Sequence, residues 1–484
     1  MYLTLDKKGA LYEQIARSVK LEILEGRIVA GSKLPSTRAL ATALGVARKT
    51  VLQAYELLCA EELAIARGGS GTRVAKVSPA SRPPPRARIV PVSRYAARVR
   101  SLPPVTLAGA HVSGRPRYNL LYGEPLMDPG LFHSWRRKLA AAALRAGPTY
   151  PAAGGYLPLR RAIADYLARR RGVLCNASDI LVVAGTQQAL TLVERVLLDP
   201  GDRVIVEDPH YQLAVHSLLA HGVQVKSART DEEGLVVREL PQRPTRLVFV
   251  TPSHQFPSGV VMTLNRRLEL LKWAARTGSW IFEDDYDTEF HAGGRPLPAL
   301  RSLDLADRVL YVGSFSKTLF PSLRLGYIVC PAALRDTLYK AKLLDDLGSP
   351  SVEQAALATF IHSRQYEKHL RKSVTELITR RRTVVDALQR LAGAEIDIGP
   401  HMAGMHFVVW FRHLDFDGLN AFIEHAKSIG LGLHPIHPYY RKRPARPGLL
   451  IGYAGLSVGQ LKTAVELFAR CFTPRTAQLS GTQI

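Results

Sequence analysis

Residues 308–327 read RVLYVGSFSKTLFPSLRLGY. A run of β-branched and apolar residues, Val309 to Val312, breaks at Gly313 into two serines and a lysine, so the stretch reads as a buried strand that ends in a polar turn. Working outward, four more runs share this build: ILVVAG at 180–185, RVIVED at 203–208, RLVFVTP at 246–252 and SWIFEDD at 279–285. Longer segments of helical periodicity separate them. Short apolar strands alternating with helices are the rhythm of an α/β domain around a mostly parallel sheet, because helices must cover both faces. After about Pro331 helices dominate, and the strand-like HFVVWF at 406–411 and GLLIGY at 448–453 indicate a smaller α+β lobe.

With 484 residues the chain exceeds one ordinary domain. Residues 1–75 form a block of helical periodicity, residues 76–117 a basic Pro/Arg-rich linker, and residues 118–475 the large domain, whose α/β part runs to about 330. The linker holds nine basic and no acidic residues, and over half of the chain's net charge of +24 lies in residues 1–117. Charge concentrated there points to a polyanionic partner at that end, although a solvated tether would have the same composition. Cys59, Cys175, Cys330 and Cys471 are scattered without a CxxC pair, which suits a reducing compartment. The N-terminus lacks an apolar signal core and no apolar stretch approaches the ~20 residues of a membrane helix, so a cytoplasmic protein is expected.

In the first block, Leu11, Ile15, Val19, Ile23 and Leu24 share one helical face and Gly26 follows as a stop. A second helix opens at Pro35-Ser36-Thr37-Arg38 and a third near Ala47-Arg48-Lys49-Thr50, with Leu44-Gly45-Val46 as the turn between them. That is a helix-turn-helix, mainly α, although a basic three-helix bundle would look alike. Its third helix would present Arg48, Lys49, Thr50 and Gln53 from its first turns, where such a helix meets base edges and phosphates of double-stranded DNA. Gly68 to Thr72 reads as a hairpin tip whose backbone can approach a phosphate.

Four segments of the large domain supply what a pyridoxal cofactor needs. Gly185, Thr186 and Gln187 stand between a strand and a helix, where backbone N–H groups favour an anion, although a simple cap would look the same. Tyr211 follows another strand and can lie flat on an aromatic ring, or be a core tyrosine. In Glu283-Asp284-Asp285-Tyr286-Asp287, Asp284 can pair with a pyridinium nitrogen and Tyr286 with the phenolic oxygen. An acidic cluster could bind a divalent metal, but no histidine or further carboxylate stands at a helpful spacing from it, and His434 and His437 read as a proline-bounded loop, so no metal is expected. Lys317, with Ser314, Ser316 and Arg324, suits a Schiff base beside a phosphate gripped by hydroxyls and a guanidinium fork.

Two resemblances follow from longer strings. LYEQI, then EGRIVAGSKLPSTRALATALGVARKTVLQAYELL and GGSGTRV, resembles the winged helix-turn-helix of the GntR regulators across nearly the whole first block. It implies DNA contacts at Arg38, Arg48 and Thr50, with Gly69 and Gly71 shaping the wing; the family more often has Ser where Ala47 stands. The four segments above, with TPSHQFPSG at 251–259 among them, resemble fold-type-I aminotransferases from about Leu120 onward. TPSHQFPSG, EDDYDTEF and SFSKTLFPSLRLGY are closer still to the MocR subgroup, which fuses the two. This implies pyridoxal 5′-phosphate (PLP) on Lys317, Asp284 at the ring nitrogen, Tyr286 at the ring oxygen, Tyr211 stacked on the ring, and a domain-swapped homodimer. Where aminotransferases have Asn-Pro-x-Asn-Pro, this chain has TPSHQFP, so His254 or Gln255 is expected to take the asparagine's place. A C-terminal arginine for a substrate carboxylate is hard to place, with Gly448 at the first position to look and Arg446 nearby. The resulting reading is a PLP-dependent, promoter-binding regulator that senses PLP or an amine through an aldimine at Lys317. The alternatives are a working aminotransferase with a DNA-binding appendage and a domain that serves only as a dimerisation scaffold.

Overall fold

The computed structural model describes residues 3–67, 71–75, 91–104, 116–124, 126, 128–145, 147, 149–290, 297–399 and 404–472. They divide into two units, Met1–Pro91 and Val92–Ile484.

In the first unit, α1 (Leu11–Leu24), α2 (Thr37–Leu44) and α3 (Arg48–Ala60) precede a hairpin of β1 (Ala64–Arg67) and β2 (Gly71–Val74). Ile15, Val19, Leu40, Val51 and Leu58 interlock as its core. Ser36 Oγ caps α2 by accepting from Ala39 N at 3.1 Å, and Gly45, at φ +66°, ends it in the left-handed conformation that glycine tolerates best. Gly71 and Thr72, read above as part of the hairpin tip, belong to β2; residues 68–70, Gly69 included, lie outside the described residues.

The second unit starts inside the segment read as a linker. Arg94–Ser101 is a helix, α4, whose N-cap Ser93 Oγ accepts from Ala96 N at 3.1 Å. A run of arginines and small residues forms a helix here because Ser93 caps it and it docks on a neighbour described below.

The remaining strands are β3 (Tyr118–Asn119), β4 (Ile180–Val183), β5 (Arg203–Asp208), β6 (Gln224–Asp231), β7 (Gly234–Leu235), β8 (Leu247–Val250), β9 (Trp280–Asp285), β10 (Val309–Ser314), β11 (Gly326–Val329), β12 (Ile396–Ile398), β13 (His406–Phe411), β14 (Leu431–Gly432) and β15 (Gly448–Gly452). Eight form the main sheet in the order β4-β11-β10-β9-β8-β5-β6-β7. β10, β9, β8, β5 and β6 are mutually parallel, while β11 runs antiparallel to both β10 and β4. The central strands carry apolar runs because both faces are covered: Leu310, Val312 and Phe282 pack on one side, Val309, Ile281 and Trp273 on the other, while β6 nearer the edge is largely polar. The smaller sheet is β12-β13-β15, antiparallel. Tyr118–Asn119 pairs with Leu431–Gly432, so the start of the segment read as the large domain joins the smaller lobe rather than the α/β part.

Of the helices, α5 (Pro129–Ala143), α6 (Leu157–Arg171), α7 (Thr186–Leu197), α8 (Gln212–His221), α9 (Leu264–Thr277) and α10 (Leu300–Leu303) belong to the first half. They are followed by α11 (Arg335–Asp346), α12 (Ser351–His362), α13 (Gln365–Ala392), α14 (Phe416–Ser428) and α15 (Val458–Arg470). Among the described residues no helix is long and apolar enough to cross a membrane.

Candidate functional site

The parallel strands end at one edge of the sheet, and the segments that carry candidate chemistry all leave from that edge, where an open α/β sheet has its crevice. A cavity of about 570 Å³ lies there, reached by residues following β4, β5, β8, β9 and β10 and by the turn that enters β11.

At one end, α7 begins directly after Gly185, so the first backbone N–H groups of α7 have no acceptor within the helix. Gly185 has φ +91°, and a Cβ there would sit 3.4 Å from the Arg324 guanidinium. Arg324 is itself left-handed at φ +48°, a conformation a non-glycine residue adopts at some cost. Ser314 and Ser316 border the same end, and Gln187 Oε1 is buried there without a hydrogen-bond partner. The N–H groups of α7, the two serine hydroxyls and the Arg324 guanidinium make a cradle of donors of the kind that holds phosphate, beside which the Gln187 carbonyl oxygen is an acceptor. Thr186 departs from expectation: its hydroxyl donates to Asp284 Oδ1 at 3.2 Å.

β9 sorts its acidic cluster by strand alternation. Asp284 faces the cavity, and burial raises its carboxyl to about 8, against the opposing pull of Thr186 and of the nearby Lys317 charge. Glu283 and Asp285 face the other way. Glu283 accepts from Leu300 N (2.8 Å) and Arg301 N (2.9 Å), and Asp285 pairs with buried Arg171 at 2.8 Å. Lys317 sits in the turn after β10, its Nζ donating to Gly123 O at 3.1 Å; loss of solvation pulls its amine down to about 8, while Asp287 and Asp284 oppose the shift. Tyr211 lines the wall between these groups and packs edge-on against Phe256, ring centroids 5.8 Å apart.

Neither His254 nor Gln255 is among the residues lining the cavity, where the sequence reading expected one of them to take the asparagine's place. Phe256 from the same turn does, and the turn folds so that its two polar residues point into the protein. Gln255 is a brace: its Nε2 donates to Pro209 O (2.7 Å) and Phe256 O (2.8 Å). His254 stands behind Tyr286, with Nδ1 2.8 Å from Asp287 Oδ2 and 3.1 Å from the Tyr286 hydroxyl. With the proton on Nδ1, Asp287 Oδ2 is its nearer acceptor. Tyr286 oxygen then accepts the remaining share of that N–H, and its own proton is left for the cavity. His406 adds a third group: a ligand atom from each of His254, Asp287 and His406 lies within 4.8 Å of the others. Sequence spacing could not show this grouping, since the three come from different turns and a distant strand.

Arg446 pairs with Asp397 at 2.7 Å and lies away from the cavity, and a Cβ at Gly448 would meet the Trp410 ring at 2.7 Å. Arg324 is the one arginine among the described residues lining the cavity. His434 Nε2 is 2.7 Å from Asn119 Oδ1, and the described residues group neither His434 nor His437 with further metal-type ligands. Sequence reasoning missed Tyr122, Gly123, Met405 and His406, which reach the cavity from the smaller lobe side. The only available signal was the aromatic pair Tyr118 and Tyr122 just before the first long helix.

In the first unit, Arg38, Arg48, Lys49 and Gln53 are exposed and Thr50 is half-buried. Arg48 Nε donates to Thr37 Oγ1 at 3.3 Å, tying the two helices at the turn. Ala47 is the N-cap of α3 and offers no side-chain acceptor. Gly71, at φ +91°, lets Lys33 pass within 2.9 Å of where a Cβ would be.

Residues 118–433 match the family "Aminotransferase class I and II", and residues 11–74 match "Bacterial regulatory proteins, gntR family". The probable rhizopine catabolism regulatory protein MocR of Rhizobium meliloti is 33% identical over 98% of this chain and 96% of its own length. The chain belongs to the MocR-like regulators of the GntR family. Another relative, the pyridoxine biosynthesis transcriptional regulator PdxR of Corynebacterium glutamicum, is 31% identical over 91% of each chain. Among solved structures, the α-aminoadipate aminotransferase LysN of Thermus thermophilus, complexed with N-(5′-phosphopyridoxyl)-L-leucine, has a TM-score of 0.68 and 25% identity, covering 78% of this chain and 96% of its own. The kynurenine aminotransferase of Pyrococcus horikoshii, in complex with PMP, has a TM-score of 0.67 and 26% identity, covering 73% and 90%. The regulator is a helix-turn-helix transcription factor whose larger unit has the fold of type I aminotransferases.

Proposed function

We propose that PLP, held covalently by Lys317, is the cofactor through which this regulator senses an amine or PLP itself and adjusts its grip on promoter DNA. The observation that carries the reading is Asp284, a buried carboxyl raised to about 8, with no ion-pair partner among the described residues, facing the same cavity as a lysine lowered to about 8. A protonated ring nitrogen would supply the missing charge. When bound, PLP supplies an aldehyde that condenses with amines and a ring that draws electrons from the attached carbon.

The chain's own groups divide the work. Lys317, partly unprotonated near neutrality, would supply the amine for the aldehyde; Gly185, Gln187, Ser314, Ser316 and Arg324 would hold the phosphate, and Asp284 would pair with the ring nitrogen. Tyr286 would donate its proton to the phenolic oxygen, with His254 holding the hydroxyl from behind. Tyr211 would cover a ring face, and Tyr122 and Phe256 would exclude water. With Arg324 committed to phosphate, no second guanidinium among the described lining residues awaits a substrate carboxylate, which supports sensing over turnover. The regulator acts in the cytoplasm as a homodimer, with Arg38, Arg48, Lys49, Thr50 and Gln53 on DNA and the wing of Gly69 and Gly71 beside it.

The test is absorbance with added PLP. The full chain should develop the visible band of a lysine-bound pyridoxal, trapped by borohydride, and Lys317→Ala should not. Arg48→Ala should lose DNA binding and keep the band. Sustained turnover of an amino-acid and oxo-acid pair, abolished in Lys317→Ala, would overturn sensing in favour of catalysis.

A further inference from the structure

α8 joins the cavity to the segment that leads from the DNA-binding unit. At its start Tyr211, Gln212 and Leu213 all line the cavity, while Gln212 Nε2 donates to Pro438 O (2.9 Å) and His210 N to Tyr439 O (2.8 Å). Its ten residues make a rod about 15 Å long. At the far end the last carbonyls of a helix lack partners within it. Here they are taken by Arg98 of α4: Nε donates to Ala220 O at 2.7 Å and Nη2 to His221 O at 3.0 Å.

The fit is specific. Gly222 ends α8 at φ +101°, and a Cβ there would lie 2.9 Å from the Arg98 guanidinium carbon, so the fork reaches the carbonyls only past a glycine. A cation at a helix C-terminus is also favoured by the helix dipole. α4 has little else to hold it. None of its residues is buried, Tyr95 is 54% and Val99 43% exposed, and an isolated helix of eight residues is marginal in water. Its docking therefore rests on Arg98, two charge-assisted hydrogen bonds rather than an apolar face.

The consequence is set by where α4 lies in the chain. With α4 docked, 19 residues separate β2 from the larger unit's first helix, a reach of at most about 65 Å; with α4 released, 43 residues separate β2 from β3, and the limit rises to about 150 Å. A shorter connection raises the effective concentration at which a second DNA-binding unit of a dimer finds its half-site. We propose that α4 is a ligand-sensitive clasp: Arg98 on the α8 C-terminus couples occupancy of the cavity to the span of chain available to the DNA-binding unit. The proposal rests on the cavity being the PLP site, and it requires that docked and released states differ in affinity for PLP.

The experiment uses the full chain and a duplex selected by it from a random-sequence pool, with affinity measured PLP-free and PLP-loaded. Wild type should show a ratio of about fivefold or more between the two states. Arg98→Ala should bring that ratio to near one while keeping the lysine-bound pyridoxal band, and Arg98→Lys, which lacks the two-pronged fork, should fall between. A full ratio in Arg98→Ala with its band intact overturns the clasp, as does a wild-type ratio of one. Absence of the band in wild type overturns the PLP reading instead. Should Arg98→Ala fail to fold, hydrogen exchange on the wild type decides: protection of residues 94–101 must change on PLP loading, and unchanged protection rejects the clasp.

Discussion

Lys317 and Asp284 are shifted in opposite directions by one cause, loss of solvation in the same cavity. A lysine amine at about 8 is neutral in roughly one molecule in ten at pH 7, against about one in three thousand at its ordinary value. Because the neutral amine is the nucleophile, the rate of PLP attachment should rise with pH and level off above about 8; stopped-flow growth of the visible band between pH 6 and 9.5 checks this, and a rise still unbroken at 9.5 would contradict it. His254 gives a second expectation. Removing it in His254→Ala strips Asp287 of a buried partner, so urea unfolding of the larger unit should show a loss of about 2–3 kcal/mol. At this scale the sequence was legible through the motif: Asp284 was chosen from its place in EDDYD, while strand alternation sets it apart from Glu283 and Asp285 without saying which face meets the cavity. His254 was not, because a turn has no fixed period, and its direction is set by Gly404, packed so close that a Cβ there would lie 2.1 Å from the imidazole.

Elements were legible in proportion to their periodicity. β4, β5, β8, β9 and β10 stand at the five apolar runs, because a strand covered on both faces has no polar alternative; β6, β7 and β11 were not among those runs. α4 was read as linker because its arginines and prolines nearby resemble a solvated tether; it forms through contacts with α8, 122 residues away in sequence. The unfilled cap of α3 makes a local expectation. Ala47 has the extended backbone of an N-cap (φ −66°, ψ 140°) and no side-chain acceptor, so Ala47→Ser should stabilise the first unit by about 1 kcal/mol. Differential scanning calorimetry of the full chain should show the transition of the DNA-binding unit moved upward, and a downward shift would mean that the methyl group packs against something the cap would disturb.

For the whole molecule, over half of the net charge of +24 lies in the first 117 residues, so DNA affinity should fall steeply with salt. Replacing Arg82, Arg86 and Arg88 together by Gln should flatten the slope of log affinity against log salt if the segment touches phosphate, and leave it unchanged if it only tethers; fluorescence anisotropy at several salt concentrations separates the two. The sequence alone determined the two-unit plan, the α/β class and which lysine, carboxylate and tyrosines were singled out before the structure placed them on one cavity, since these depend on composition, short-range period and motif order. Tertiary structure alone decided which groups share the cavity wall, that Phe256 rather than His254 faces it, that Tyr122 and His406 reach it from the smaller lobe, and that Arg98 grips α8. The physical reason is one of range. Local pattern acts over a few residues, whereas a cavity is built by segments brought together from as far apart as Gly123 and Lys317, and only packing of the completed sheet selects which of their faces meet.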